Sequence, residues 1–243
     1  MDDFYKKHDR VALMFSGGKD SVVCLNLVKE YLHKTVVMWV NTGANFPEVI
    51  DYMEKINKQV PYFLELKTNQ PKVIEEKGYP VDVLPINYTE LGQACTSNKS
   101  IKLRSYFDCC AENFWIPCHN KIKELGITGV IRGQRLSESH KSPITSGDSY
   151  DGIEYLFPIE HWSDAEVFDY LEKNCLNEEE RFKINHSSLD CWNCTAYLNQ
   201  STDRMRYIKD KHPEKFGRLV KVVRQIQEAV ESETVGIRHI LEM

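Results

Sequence analysis

The chain has 243 residues, 42% of them apolar and 28% charged, with a net charge of −5 when histidine is neutral. That length buries a full core and that balance is globular, so one α/β-sized domain with a smaller appendage is expected. No apolar run reaches membrane-spanning length, and residues 1–10 are charged and lack the apolar core of an export signal, so the expected location is the cytoplasm with no membrane partner. The acidic balance argues against a large nucleic-acid footprint and leaves local clusters such as Lys99, Lys102 and Arg104 to steer an anion.

Val11-Ala12-Leu13-Met14-Phe15 is apolar throughout, the pattern of a strand covered on both faces. Ser16-Gly17-Gly18-Lys19-Asp20-Ser21 follows, and Val22, Val23, Leu25, Leu27 and Val28 then recur at helical spacing to about residue 32. Glycines let the backbone turn sharply and approach a ligand, and the first amides of the next helix have no intrahelical acceptor. Those amides and the helix dipole favour a phosphate, to which Lys19 adds a point charge and Ser16 and Ser21 add hydroxyl donors. A Walker-type loop is excluded, because it needs four residues between its first glycine and Gly-Lys-Ser/Thr.

Residues 35–40 form the second expected strand, followed by Asn41-Thr42-Gly43-Ala44-Asn45 and a helix from about Phe46, with Pro47 and Glu48 suiting its first turn. Residues 62–66 and 128–132 are the third and fourth strands. Helical patterns between them predict an α/β fold with a mainly parallel sheet flanked by helices. Ligands on such sheets bind beyond the carboxyl ends of strands, where Ser16, Asn41-Thr42-Gly43 and Arg132-Gly133 all fall. Ser163-Asp164-Ala165-Glu166 is a capping box for a helix to roughly Asn174, and an acidic connector, residues 177–181, leads to Cys191-Trp192-Asn193-Cys194. Residues 203–230 are mostly helical, interrupted at Pro213. The expected organisation is a nucleotide-binding α/β domain over residues 1–160 and a helical C-terminal portion over 161–243 that carries the Cys-x-x-Cys.

Eight cysteines without an export signal point to metal ligation, catalysis or burial rather than disulfides. Cys24 falls in an apolar helical pattern and is expected in the core, while Cys95 and Cys175 have no neighbours that single them out. The tandem Cys109-Cys110 and Cys191-x-x-Cys194 supply four thiolates from two segments, a set that binds zinc or an iron–sulfur cluster. A tandem pair in a regular helix diverges by about 100°, so this one needs a helix end or a distortion. Cys118, in Pro117-Cys118-His119-Asn120-Lys121, is a fifth candidate in place of Cys109 or Cys110.

The loop SGGKDS resembles the PP-loop of the ATP pyrophosphatase, or adenine nucleotide alpha-hydrolase, superfamily. That resemblance implies cleavage of ATP between its α and β phosphates, adenylation of a substrate and release of pyrophosphate. Thr42-Gly43-Ala44-Asn45-Phe46-Pro47-Glu48, Gly133-Gln134-Arg135 with Glu138-Ser139, and Pro158-Ile159-Glu160-His161-Trp162-Ser163 with Val167 further resemble the phosphoadenylylsulfate (PAPS) reductase-like family over residues 11 to about 195. The resemblance implies that Ser16, Gly17, Gly18, Lys19, Asp20 and Ser21 hold the phosphates and that Trp39, Val40 and Asn41, with Thr42 and Gly43, meet the adenine nucleotide. Gly133 and Arg135 then face its anionic part, Lys19, Asp20 and Arg135 are the catalytic candidates, and His140 and Lys141 are additional contacts. The cysteine pattern is similar to the 4Fe-4S pattern of the bacterial adenylylsulfate reductases, which favours a cluster over zinc at Cys109, Cys110, Cys191 and Cys194.

Reductases of this family also carry a nucleophilic cysteine in a C-terminal Glu-Cys-Gly-x-His type segment. Here the last cysteine is Cys194, and Thr234-Val235-Gly236-Ile237-Arg238-His239 has valine where the thiol would stand. The leading expectation is therefore an ATP-dependent enzyme that adenylates an acceptor, a small molecule, RNA or DNA, and serves sulfur transfer with ATP, Mg²⁺ and a 4Fe-4S cluster. Asp20 is the expected partner of Mg²⁺, and a sulfur donor or redox protein is the expected partner of the enzyme. The alternatives are a sulfonucleotide reductase whose thiol is displaced to Cys95 or Cys118 or comes from a partner, and a nucleotide-binding redox-sensing subunit.

Overall fold

The computed structural model describes residues 1–97, 100–138, 142–176, 189 and 191–243. Contacts divide the chain into two compact units, residues 1–41 with 46–67 and 117–188, and residues 42–45 with 68–116 and 189–243. The first stretch runs α1 (Asp2–Lys7), β1 (Val11–Met14), α2 (Lys19–Leu27), β2 (Thr35–Asn41), α3 (Pro47–Gln59) and β3 (Phe63–Lys67). The second unit then takes α4 (Gln70–Lys77), β4 (Tyr79–Val81), α5 (Glu90–Thr96), β5 (Leu103–Ser105) and α6 (Tyr106–Cys110). Next come α7 (Ile116–Glu124), β6 (Gly129–Ile131), β7 (Ser149–Tyr150), β8 (Ile153–Leu156) and α8 (Asp164–Lys173), and finally α9 (Thr202–Lys211) and α10 (Pro213–Leu241).

The first unit is built on a six-stranded sheet of order β3-β2-β1-β6-β8-β7. All pairs are parallel except the β7–β8 hairpin. β1 sits between β2 and β6, which is why Val11, Ala12 and Leu13 are wholly buried and the run is apolar on both faces. Edge-ward β3 is half-buried and admits Glu65 and Lys67. Chain connections leave β1 toward β2 on one side, while β6 arrives on the other, so the carboxyl edge between β1 and β6 is a topological switch point. α2 ends at Leu27, short of the expected residue 32, and a 3₁₀ turn (Lys29–Tyr31) completes the connection. The capping box is formed as expected: Ser163 Oγ accepts from the Glu166 amide, and Glu166 Oε2 accepts from the Ser163 amide at 2.7 Å.

In the second unit, β4 and β5 pair in parallel and pack Val81 and Leu103 against Ile226 and Ala229 of α10. This packing groups residues 68–116 with 189–243, and residues 161–176 with the sheet, so the grouping differs from the expected single boundary after residue 160. α9 and α10 meet at His212, with Pro213 opening α10 where its missing N–H costs nothing. α10 runs to Leu241, well past the expected residue 230. Among the described residues no helix is long and apolar enough to cross a membrane.

Candidate functional site

β1 ends at the switch point, and the loop after it has the strained geometry that its glycines permit. Gly17 has φ +74°, a left-handed conformation that side chains avoid. Gly18 caps α2, its amide donating to Ser16 Oγ at 3.2 Å while its carbonyl accepts from Ser21 Oγ at 2.9 Å. The two serine hydroxyls stand 3.4 Å apart, so the expected cradle residues are brought together. Gly133, beyond β6, lies against the same helix start, where a Cβ would come within 2.9 Å of the Asp20 carbonyl carbon.

Four charged side chains close around this helix start. Lys19 Nζ lies 2.9 Å from Asp20 Oδ2 and 3.5 Å from Asp164 Oδ1. Arg135, only 3% exposed, places Nε 2.7 Å from Asp20 Oδ1 and Nη2 2.7 Å from Asp164 Oδ1. The Asp20 contact is close but misaligned, since neither Arg135 Nε nor Asp20 Oδ1 has a formed hydrogen bond. Arg135 Nη1 is steadied by Ser137 Oγ and the Trp162 carbonyl, at 3.0 and 3.3 Å. Burial works against charge on Arg135, yet Asp20 and Asp164 together hold its pKa above the ordinary value. Burial also opposes charge on Asp164, but Lys19 and Arg135 keep its carboxyl below the usual range. Glu138 shows the opposite balance, pushed up by burial and then by Asp20.

Asp164 joins this cluster although no motif singled it out. Its signal was its place as the first residue of the capped helix α8, directly after the Pro158–Ser163 stretch. Both Asp20 oxygens face cations, whereas Lys19 and Arg135 each make their closest approach to Asp164 through Oδ1, and the Asp164 side chain is 67% exposed. For a hard cation that needs oxygen ligands, Asp164 is thus the better placed carboxylate of the two.

Trp39 and Val40 are buried within β2, and the Asn41 side chain donates to Glu65 Oε1 at 2.7 Å. Thr42 and Gly43, expected beside the nucleotide, group with the second unit. There Thr42 Oγ1 lies 3.2 Å from Cys191 Sγ, and the Ala44 carbonyl accepts from the Trp192 amide at 2.9 Å. Lys99, Ser139, His140, Lys141 and the acidic connector at 177–181 lie outside the described residues.

The four expected metal-ligating cysteines all belong to the second unit. Cys109 and Cys110 lie in the last turn of α6, and the helix continues through a π-helical turn (Ala111–Trp115) into α7, so the expected distortion follows the tandem pair rather than falling on it. Pro117 has no N–H for the Asn113 carbonyl, and Thr68 Oγ1 caps that carbonyl at 3.0 Å instead. Cys109 and Cys194 are buried, Cys110 and Cys191 half-buried, and Tyr197 reaches Cys110 Sγ at 3.9 Å. Burial, and then the neighbouring Cys194, pushes the Cys109 thiol up to about 11. Arg204, 2% exposed, donates to the carbonyls of Cys191, Cys194 and Ala196 at 3.2–3.3 Å. It has no acidic partner among the described residues, and its Nε has no acceptor. A buried cation against a Cys-x-x-Cys loop fits a thiolate-bound group, whose negative charge offsets it. Among the described residues, no three His, Cys, Asp or Glu side chains close around a single ion position. Cys118 sits in the first unit, buried in α7, where burial pushes its thiol up to about 12 against the pull of Arg132. Cys24 is wholly buried, as expected, and Cys95 lies exposed on α5.

A mainly parallel sheet flanked by helices, with a glycine-rich helix start and paired cations at its switch point, is an α/β architecture of the doubly wound type. The chain belongs to the phosphoadenosine phosphosulfate reductase domain family, which matches residues 10–197. It is 26% identical over 227 residues to an uncharacterized protein of Methanocaldococcus jannaschii, covering 90% of this chain and 49% of that protein. The chain therefore spans about half the length of that relative. It is 23% identical to an adenosine 5'-phosphosulfate reductase of Geobacillus kaustophilus over 80% of this chain and 77% of the relative. A reductase of the same description from Staphylococcus epidermidis is 22% identical over 77% and 71%. A phosphoadenylyl-sulfate reductase from Candida auris, solved as a phosphate complex, superposes with a TM-score of 0.47 at 20% identity, covering 74% of this chain and 83% of that one.

Proposed function

We propose that this chain binds ATP on the Ser16–Ser21 loop and transfers its adenylyl group to an acceptor, releasing pyrophosphate. The observation that carries the reading is the convergence of Lys19 and Arg135 on one oxygen of Asp164 at the start of α2. Two cations that share one carboxylate oxygen are spaced to share a phosphate oxygen. In the reaction a bond forms between the acceptor nucleophile and the α-phosphorus, the bond to the β-phosphate oxygen breaks, and the acceptor proton passes to solvent. Lys19, Arg135 and the free amides of α2 stabilise the charge that builds on the phosphate oxygens. Asp20 keeps Lys19 and Arg135 oriented, and Asp164, rather than Asp20, carries the oxygen for Mg²⁺, which supplies further charge neutralisation when bound.

The Cys109, Cys110, Cys191 and Cys194 set is proposed to hold a 4Fe-4S cluster, with zinc the less favoured occupant; the cluster supplies one-electron redox capacity when bound. This equips the unit for sulfur chemistry with a separate sulfur donor.

A second reading, reduction of a sulfonucleotide, is the one that the family match and the reductase relatives favour. In it a thiolate attacks the sulfur, the nucleotide leaves, and a dithiol donor releases sulfite while becoming a disulfide. Of the cysteines proposed to supply that thiol, Cys95 is exposed, whereas Cys118 is buried and held protonated, so Cys95 or a partner thiol fits better.

Protein purified without oxygen, analysed for iron and sulfide and supplied in parallel with ATP–Mg²⁺ plus acceptors and with adenylylsulfate or PAPS plus a dithiol, separates the readings. Pyrophosphate together with an adenylylated acceptor, or with AMP displaced from it, supports adenylyl transfer. Sulfite release with no product from ATP overturns it in favour of reduction.

A further inference from the structure

The second unit holds a cavity of about 500 Å³ that neither reading uses. Its apolar wall includes Ile74, Tyr79, Leu219 and Val222, and its charged lining is Lys102 and Arg218 against one carboxylate, Glu75. One side is the Cys-x-x-Cys loop itself, through Trp192 and Asn193. Lys215 Nζ lies 5.6 Å from the centre of the Trp192 ring and shares a helical face with Arg218 and Val222. The surrounding charge is lopsided. Between residues 209 and 224 the sequence carries six Lys or Arg against two acids, in a chain with a net charge of −5. All six basic side chains are exposed or half-exposed on α9 and α10.

We propose that this face binds a single-stranded nucleic acid, with its phosphates against Lys102, Lys215 and Arg218 and one base in the cavity against Trp192. Each part of the surface matches one part of that ligand. Cations neutralise a polyanion, and an aromatic ring in an apolar slot stacks an unpaired base. The volume also falls in the range of sites that enclose small planar groups. The overall acidic charge argued against a large footprint, but a footprint confined to one helical hairpin needs only a local excess. Under the adenylyl-transfer reading this strand is the acceptor, and in that sense the proposal builds on that reading. Binding is measured without nucleotide, however, so the failure of one is distinguishable from the failure of the other.

The test is fluorescence anisotropy of the full chain with labelled 20-nucleotide single-stranded RNA, single-stranded DNA and the matching duplex, from 50 to 200 mM salt. Single strands are expected to bind with affinity falling as salt rises, and the K215Q/R218Q double variant to lower the slope by about 1.4, or ~0.7 per lost phosphate contact. Trp192→Ala is expected to weaken binding about tenfold and Trp192→Phe to restore most of it, which separates stacking from misfolding. A preference for RNA or for DNA identifies the source of the strand, and either supports the site. Three results would each overturn the proposal: no single-strand binding at 50 mM salt, equal binding of the duplex, or affinity unchanged by both sets of variants.

Discussion

A single carboxylate oxygen of Asp164 lies 2.7 Å from Arg135 Nη2, and the same oxygen is 3.5 Å from Lys19 Nζ. The two cations are therefore already spaced around one oxygen, the arrangement the proposed phosphate site requires.

Asp164→Asn removes that competing charge. Pyrophosphate without Mg²⁺ is expected to bind about fivefold more tightly, a gain of ~1 kcal/mol, while Mg²⁺-dependent turnover falls. Calorimetric titration with and without Mg²⁺ checks both signs, and weaker metal-free binding would contradict the assignment. Because the folded pKa of Asp164 is depressed, its contribution to stability is complete above the unfolded value of about 3.8 and is lost as pH falls through the folded value. Between pH 5 and 8 the stability difference between wild type and D164N should stay flat.

Glu138 has the reverse linkage. Its raised folded pKa means that the folded state carries a cost once the pH exceeds that value, and the cost disappears as pH falls below the unfolded value of about 4.5. Glu138→Gln is expected to stabilise the protein at pH 7 by less than ~1 kcal/mol, or roughly 2 °C in Tm, after solvent screening is allowed for. The gain should vanish near pH 4, and thermal melts across that range measure it.

Arg135→Lys keeps the charge and loses the fork that reaches Asp20 and Asp164 together. Under the proposed reaction, product formation should drop about 100-fold or more with the melting temperature little changed. Pyrophosphate release assays paired with thermal melts read the two effects separately.

Gly133→Ala places a methyl group 2.9 Å from the Asp20 carbonyl carbon, where backbone rather than a pliable side chain must yield. A loss of about 1–3 kcal/mol in unfolding free energy is expected, together with weaker nucleotide binding as α2 is pushed back. Denaturant titration, and binding of a labelled adenine nucleotide, test the two parts.

Arg204→Met leaves the carbonyls of Cys191, Cys194 and Ala196 without their buried donor and should cost about 3 kcal/mol. Iron retention is expected to fall in Arg204→Met, Cys109→Ser and Cys194→Ser, and to be unchanged in Cys118→Ser. Metal loss on changing Cys118 would return that residue to the ligand set.

The loop and its strand were legible because they depend on neighbours in the chain. An apolar run that ends in Ser16-Gly17-Gly18 can turn only with φ positive at a glycine, and the capping box at Ser163 closes through residues three apart. The break at Pro213 follows from an equally local rule. By contrast, the pairing of Asp164 with Arg135 and Lys19 spans well over a hundred residues on the lysine side, and α8 alone gives Asp164 no special chemistry. Thr42 and Gly43 likewise read as a strand end, yet hydrogen bonding to the Cys191-Trp192 segment groups them with the thiols. The sequence by itself determined the parallel α/β class and the sharp glycine turn of the Ser16–Ser21 loop, because both depend on chain neighbours. Only the tertiary structure decided which acid sits between the cations, that Cys118 stands in a different unit from the other four candidate thiols, and that a basic cavity flanks the Cys-x-x-Cys loop, because charge and burial are properties of side chains brought together from distant segments.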